Sequence, residues 1–175
     1  MYKSTFYEKT KHGTMEFPAA YYFVDSSHPQ YHMPFHWHTE WELIRVRSGE
    51  LILHVEEEEI HAVAGDAVLI RGSMFHGGTA KKCVYECFVF DLYGLFQGIE
   101  AIQKNIRPIS QLKILPEILY KEEQCPKVCE LVGEIMDTNY SAMKEGEKGS
   151  CKELITISCL GHMFGTILQE GKYHA

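Results

Sequence analysis

The sequence predicts a mainly β domain followed by two C-terminal α-helices. Between residues 41 and 91, short strand-favouring runs alternate with glycine-containing turn signals, a spacing typical of a small barrel or sandwich. From Pro126 onward, apolar residues recur every three or four positions, which is the period of an amphipathic helix. A composition of 45% hydrophobic residues in a chain of 175 is ample for one core.

The first part of the chain divides near residue 17. Residues 1–16 are polar and mixed in charge, so they predict an N-terminal arm that is ordered only where something docks it. Residues 17–24 are rich in aromatic and β-branched side chains and predict the first strand. Pro29 and Pro34 keep the approach to His36 extended and poor in backbone donors.

Turn residues separate the strands that follow. Ser48-Gly49 and Gly65-Asp66 predict tight turns, and glycines on both sides of His76 predict others. The acidic run 56–59 predicts a solvated hairpin tip rather than a cation site. The remaining strands are expected at residues 41–47, 50–56, 59–63, 67–71 and 82–91.

The last third of the chain changes character. Residues 94–116 predict irregular structure, because Pro108 and Pro116 interrupt any long helix. A first helix begins at Pro126, and residues 141–149 predict a charged linker. The second helix is apolar almost all round, so it must be buried against the β domain, the first helix or another subunit. We therefore divide the chain into an arm (1–16), a β-barrel (17–115) and a helical segment for dimerisation and linkage (116–175).

Two histidines and a glutamate share one face of a predicted strand. Side chains two apart in a strand point to the same side, so an extended chain from 37 to 46 places His36, His38 and Glu42 beside Ile44 and Val46. The apolar pair marks that side as interior. A carboxylate there is costly unless it is paired, hydrogen-bonded or bound to a metal.

The opposite face of the same strand carries Trp37, Trp41, Arg45 and Arg47. We expect packing roles for the two tryptophans. The two arginines are expected on the outer surface, with Arg47 a weaker candidate for a contact at the rim of the pocket.

The segment from His36 to Gly49 reads H-x-H-x3-E-x6-G, which resembles the first motif of the cupin superfamily. A degenerate second motif runs from Gly65 to His76, with Arg71-Gly72-Ser73 at the position where cupins usually carry Pro-x-Gly. Ala80 follows at the position where an Asn often ends this motif. The stretches HWHTEWELIRVRSGEL and AVAGDAVLIRGSMFHGG most resemble the N-terminal sensor domain of AraC-type bacterial transcription regulators, over residues 17–92. The resemblance implies a cupin-type double-stranded β-helix (jelly-roll) barrel followed by two C-terminal α-helices.

The resemblance also implies a site. His36, His38, Glu42 and His76 would converge inside the barrel as metal ligands, and this donor set suits Zn, Ni, Fe, Mn or Co. Many AraC-type sensors instead bind an organic effector without metal, so both alternatives stay open. We expect His32 to bind ligand at the mouth of the pocket, and we interpret the other histidines as surface or packing residues.

As a sensor domain, the chain would bind a small polar effector, such as a sugar, and form a homodimer. No helix-turn-helix pattern precedes Ala175, so DNA contact is expected only through a domain outside this chain. A net charge of −7 also argues against direct binding of this chain to the phosphate groups of nucleic acids. The alternative is a stand-alone cupin metalloenzyme of the dioxygenase or isomerase type, which explains the ligand set but not the helical segment.

Neither a long apolar run nor a signal peptide is present, so we expect a cytoplasmic protein that does not contact a membrane. The six cysteines should then be reduced thiols that pack in the interior. A zinc site built from the two C-x3-C pairs fits less well, since zinc knuckles usually use the tighter C-x2-C spacing.

Overall fold

The computed structural model describes residues 5–146 and 151–175. Six strands come first, then two short helices, two very short strands, two long helices and a last short strand. Their bounds are β1 (Ala19–Val24), β2 (Met33–His36), β3 (Trp41–Val55), β4 (Glu58–Val63), β5 (Ala67–Ile70), β6 (His76–Phe90), α1 (Leu92–Phe96), α2 (Glu100–Ser110), β7 (Leu115–Pro116), β8 (Leu119–Tyr120), α3 (Pro126–Glu145), α4 (Lys152–Gln169) and β9 (Tyr173–His174).

Two long antiparallel strands, β3 and β6, form the middle of the main sheet. They pair from Trp41 opposite Phe90 at one end to Val55 opposite His76 at the other. β1 and β2 pair with β6, β4 and β5 pair with β3, and β8 pairs with β5. The sheet therefore extends to residue 120, and β7 forms a separate pair with β9 at the C-terminus.

The prediction of two strands separated by a turn at Ser48-Gly49 was wrong. The chain continues as one strand with irregular register between Val46 and Glu50. Gly49 has φ of 77°, and a Cβ there would collide with the carbonyl group of Lys82 on β6. The glycine bends the strand instead of reversing it, as a β-bulge does. In the same way, Gly77-Gly78 lies within β6 and forms no turn.

The two faces of the sheet bury two different cores, as the alternation of side chains predicts. Ile44 and Val46 lie in an interior core to which both halves of β3 and β6 contribute. Trp41 and Leu43 face the opposite way and join the helices in a second core. The Trp41 ring packs edge-on against Phe164 of α4, with 6.1 Å between ring centroids, which confirms the predicted packing role.

The expectation of irregular structure over residues 94–116 was wrong, because all of α2 and the last three residues of α1 lie there. Ile102, Ile106 and Ile109 follow a helical spacing and contact the second core. Pro108 is the third residue from the end of α2, so it disturbs only the last turn.

The two long helices cover the outer face of the sheet. α3 begins at Pro126 as predicted, and it continues to Glu145, so the predicted linker over 141–149 was wrong for its first five residues. Residues 147–150 lie outside the described part of the chain. α4 packs on α3, and both contribute to the second core, although Leu154 remains 70% exposed.

The described helices include none that is long and apolar enough to span a membrane. All six cysteines are free thiols, as predicted; five are buried and Cys151 is exposed.

Candidate functional site

Three strands and one loop bring four donor side chains together inside the β domain. His36 ends β2, His38 lies in the connection to β3, Glu42 is near the start of β3, and His76 is the first residue of β6. Pairing of β2 with β6 sets His36 directly opposite His76. One ligand atom from each of the four residues lies within 4.8 Å of every other, so the structure brings together all four residues that the sequence predicted as ligands.

Backbone carbonyl groups orient the three imidazole rings. The Nδ1 atoms of His36, His38 and His76 lie 2.8, 3.0 and 2.8 Å from the carbonyl oxygens of Pro34, Glu40 and Met74, given in the same order. A carbonyl oxygen only accepts hydrogen bonds, so each Nδ1 must carry the proton. In the neutral ring, each Nε2 atom then holds a free lone pair, and fixing a tautomer in this way is typical of metal-binding histidines.

These lone pairs point at a carboxylate. Oε2 of Glu42 lies 3.2 Å from Nε2 of His38 and 3.1 Å from Nε2 of His76. Two acceptors at that distance repel one another unless a cation or a proton lies between them. Glu42 is only 3% exposed, so bulk water can neither solvate the carboxylate nor screen this repulsion. The donor set therefore fits a divalent transition metal bound by three Nε2 atoms and one carboxylate oxygen.

Protons are the alternative to a metal at this centre. Burial would raise the pKa of Glu42, but hydrogen bonds from His38 and His76 and their positive charge hold it well below its ordinary value. Burial lowers the pKa of His76, yet the bond to Glu42 outweighs it and the pKa is raised. Burial and the neighbouring charge of His76 lower the pKa of His36. Protons and metal ions thus compete for the same lone pairs.

A cavity of about 290 Å³ opens beside this centre. Its wall includes residues that the sequence analysis did not select, above all Glu8 and His12 from the N-terminal arm. The lining residues are Glu8, Thr10, His12, Tyr22, Val24, His28, Gln30, Met33, His36, His38, Glu42, Tyr85, Cys87 and Val89. The sequence contains no signal for the arm residues, because their proximity to the site depends on how the arm docks.

The arm residues form a polar chain along the cavity wall. Nε2 of His12 lies 3.3 Å from Oε2 of Glu8, and its Nδ1 lies 2.8 Å from the hydroxyl group of Tyr22. The hydrogen bond with His12 is the main cause of a lowered pKa of Glu8. Burial lowers the pKa of His12, but the contact with Glu8 outweighs it and raises the pKa. His12 is buried and lines the cavity, so it is not a surface residue, and its contacts go beyond the packing role that the sequence predicts.

Cys87 lines the cavity together with Glu42. Burial, followed by the negative charge of Glu42, raises the pKa of the Cys87 thiol well above its ordinary value, so the thiol keeps its proton. A protonated thiol is a poor metal ligand, and Cys87 is not one of the four grouped donors.

The remaining predicted residues lie away from the four donors. His32 is exposed, its Nδ1 accepts a hydrogen bond from the Ala80 amide at 3.2 Å, and it is not among the residues that line the cavity. The Trp37 ring packs against Tyr7 of the arm at 4.7 Å between centroids. Arg45 lies on the outer face beneath α3, where Nη2 binds Asp137 at 2.6 Å.

A family model described as "Cupin domain" matches residues 24–85. The match spans both sequence motifs and strands β2 to β5, so this part of the chain is similar to cupin domains. An uncharacterised HTH-type transcriptional regulator, YdeC of Bacillus subtilis (strain 168), is 30% identical over 84 residues, which make up 46% of this chain and 29% of the regulator. The chain thus matches less than a third of the length of that curated relative.

Solved cupin structures are similar over less than half of the chain. An RmlC-like cupin from Shewanella frigidimarina is 19% identical, with a TM-score of 0.36 and coverage of 42% of this chain and 64% of the other. An RmlC-like cupin from Methanocaldococcus jannaschii with a double-stranded β-helix fold is 13% identical, with a TM-score of 0.35 and coverage of 46% and 72%. FeII HppE is 19% identical, with a TM-score of 0.34 and coverage of 41% of each chain.

Proposed function

We propose that this chain is the effector-binding domain of an AraC-type transcription regulator and that it binds a small polar ligand in the cavity beside a divalent metal. The observation that carries the proposal is the cavity itself, about 290 Å³ in volume and lined on one side by three of the four donors, His36, His38 and Glu42. The similarity of 84 residues to an HTH-type regulator supports a regulatory role over a purely catalytic one.

The lining of the cavity favours a ligand rich in hydroxyl groups. Glu8 and Glu42 offer carboxylate acceptors, while Tyr22 and Thr10 add hydroxyl groups. Among the described residues that line the cavity there is neither lysine nor arginine, so a multiply charged anion would lack a permanent counter-charge. A sugar or another polyol meets these conditions, and one of its hydroxyl groups could approach the metal.

Homodimerisation through the helices is part of the proposal. Leu154 is 70% exposed and Met143 is 50% exposed, and both lie on the long C-terminal helices. Ile155 and Ile157 on α4 are only partly buried against the second core. A partner subunit would cover these side chains, and effector binding could then change how two DNA-binding domains are spaced. Light scattering at micromolar concentration should give twice the mass of one chain, and a monomer mass would contradict this part of the proposal.

A cupin metalloenzyme is the second candidate, because three histidines and one glutamate form a complete ligand set with a cavity next to it. When bound, a metal ion supplies Lewis-acid or oxygen-activating chemistry. The chain's own residues would bind and orient the substrate there. Near the donors, the pair Glu8 and His12 is the group best placed to accept a proton.

One experiment separates the two candidates. The gene product that carries this domain together with its DNA reader is titrated with sugars and polyols in a gel-shift assay, with and without bound metal. An effector must change promoter affinity by its differential affinity for two states, and Glu42→Gln should weaken that response while leaving promoter affinity without effector unchanged. Metal-dependent turnover of a substrate, together with promoter binding that no added sugar or polyol changes, would contradict the sensor proposal and support the enzyme.

A further inference from the structure

Residues 5–12 of the N-terminal arm include a backbone segment that is hydrogen-bonded to the chain between two of the candidate metal ligands. The Glu8 amide donates a hydrogen bond to the Trp37 carbonyl oxygen at 2.9 Å, and the Trp37 amide donates to the carbonyl oxygen of Phe6 at 3.0 Å. Tyr7 forms a parallel bridge with Trp37. Since Trp37 lies between His36 and His38 in the chain, this backbone pairing fixes the Glu8 side chain beside the donor set.

The carboxylate of Glu8 faces a histidine that has no proton to donate to it. Oε2 of Glu8 lies 3.6 Å from Nε2 of His36, while Nδ1 of that ring donates to Pro34. In the neutral ring, the nitrogen nearest the Glu8 carboxylate therefore carries a lone pair and no proton. Glu8 is not one of the four donors that lie within 4.8 Å of one another, so it borders that group on the side of His36. A positive charge at the group would attract both carboxylates.

Charge balance leads to the same conclusion. With neutral imidazoles, Glu42 and Glu8 contribute one negative charge each, so the centre carries two negative charges in all. A divalent cation cancels that charge, whereas Glu42 alone would leave one positive charge in a cavity whose described lining has no further carboxylate. His12 holds Glu8 in this position at 3.3 Å and is itself held by Tyr22.

We propose that Glu8 is a second carboxylate of the metal centre, so that the bound ion also holds the N-terminal arm against the β domain. The inference rests on the metal site of the proposed function and adds a residue from outside the four-ligand set. Because linkage is reciprocal, an ion that binds better when the arm is docked must in turn favour the docked arm.

The test measures metal affinity in matched variants of the full chain. Zn²⁺ and Co²⁺ are bound in competition with a chelator by the wild type, Glu8→Gln and Glu16→Gln. Glu16 belongs to the same arm and is exposed outside this cavity, so its variant loses the same charge without touching the site. Glu8→Gln should weaken binding by about 10- to 100-fold, the usual effect of removing a supporting partner of a metal site, and Glu16→Gln by less than about twofold.

A second readout separates a role at the metal from a role in folding. Hydrogen exchange at the Glu8 and Trp37 amides should slow when Zn²⁺ is added to the wild type, and this protection should be lost in Glu8→Gln. Glu8→Asp, which keeps the charge, should recover part of both effects. Melting without metal, followed by circular dichroism, should be the same in all variants within a few degrees.

The outcomes are distinguishable. Equal affinities of Glu8→Gln and Glu16→Gln, or an arm whose amide exchange ignores Zn²⁺ in the wild type, would overturn the role of Glu8 and leave the metal site standing. A wild-type chain that binds neither ion would overturn this inference and the metal part of the proposed function together. An effector response in the gel-shift assay would still support the sensor domain in that case.

Discussion

Glu42 and Glu86 are buried carboxylates on the two long central strands, and they face opposite sides of the sheet. Glu42, 3% exposed, points into the β domain toward imidazole rings. Glu86, 0% exposed, points outward under α3 and accepts hydrogen bonds from Nε of Arg45 at 2.6 Å and from the Tyr21 hydroxyl at 2.5 Å. Arg45 in turn binds Asp137 and the carbonyl oxygen of Gly133 on α3.

The difference lies in the charge of the partners. An arginine stays positive at any pH that a cell reaches, so Glu86 is neutralised by the protein itself. The contacts with Glu86 and Asp137 further raise the pKa of Arg45 against the opposing effect of burial. Histidines are mostly neutral above their ordinary pKa, so Glu42 depends on a metal ion or protons from outside. The outer carboxylate therefore neutralises and positions Arg45, which binds α3 through Gly133 and Asp137, and the inner carboxylate is available for binding.

The largest effect should come from the outer pair. Glu86→Gln removes the fully buried partner of Arg45 while Asp137 still pairs with the guanidinium group, so the cost should be about 3 kcal/mol, the lower end for a broken buried ion pair. Urea unfolding of the metal-free protein measures the loss. Glu130→Gln, on the exposed face of α3 beside Lys127, should cost under about 1 kcal/mol. Equal stabilities of the two variants would contradict a stabilising role for the Arg45–Glu86 network.

Glu42→Gln should show the converse behaviour. Loss of a direct ligand should reduce Zn²⁺ affinity by at least about 100-fold, or about 2.7 kcal/mol, while the metal-free protein near pH 8 changes stability by less than about 1 kcal/mol. Calorimetry gives the affinity and urea unfolding the stability. Glu86→Gln, measured in the range where it is folded, should keep the wild-type affinity. A metal affinity unaffected by Glu42→Gln would place the ion elsewhere.

The pH dependence should distinguish the two carboxylates further. Glu42 raises the pKa of His76 above its ordinary value of 6.5, so their contact stabilises the metal-free protein below that pH and loses its effect as the pH rises through the raised pKa. The stability difference between wild type and Glu42→Gln should therefore be larger near pH 6 than near pH 8. Zn²⁺ affinity should change in the opposite direction, because protons leave the histidines as the pH rises.

For Glu86→Gln, the stability difference from wild type should be the same at both pH values, because Arg45 remains charged throughout. Unfolding curves of the three proteins at the two pH values provide the measurement. A pH-independent difference for Glu42→Gln would contradict the role assigned to the histidines.

The smallest effect is expected at the outer end of the arginine network. Asp137 is 63% exposed at its side chain, so Asp137→Asn should cost only about 0.2–1 kcal/mol even though the distance to Arg45 is 2.6 Å. The remaining bond to Glu86 continues to neutralise the arginine. Thermal melts in low and high salt provide the check, since the effect should shrink with added salt. A loss as large as that of Glu86→Gln would mean that Asp137 contributes as much as Glu86 to the stability of this network.

The strand alternation in the sequence predicted which side of β3 is interior, and His36, His38, Glu42 and His76 do converge there. Spacing could predict the shared face of His36, His38 and Glu42 because a strand has a fixed period of two, whereas His76 was assigned to the site through the resemblance to the second cupin motif. The same local rules predicted the helix that begins at Pro126. They failed at Gly49, where the signal for a turn and the signal for a bent strand are the same residue.

Local periodicity and spacing in the sequence predicted a mainly β domain with C-terminal helices, the inner and outer faces of the central strand, and three donors of the candidate metal centre, His36, His38 and Glu42. The resemblance to cupins supplied the jelly-roll topology and the fourth donor, His76. Only the tertiary structure decided that Glu8 and His12 of the arm reach the cavity, that Arg45 pairs with Glu86 and Asp137, and that His32 lies outside the cavity lining. Those contacts join residues far apart in the chain, and the packing of whole elements fixes them. No local sequence pattern predicts such packing, because a short stretch has the same secondary-structure preference whichever elements it packs against.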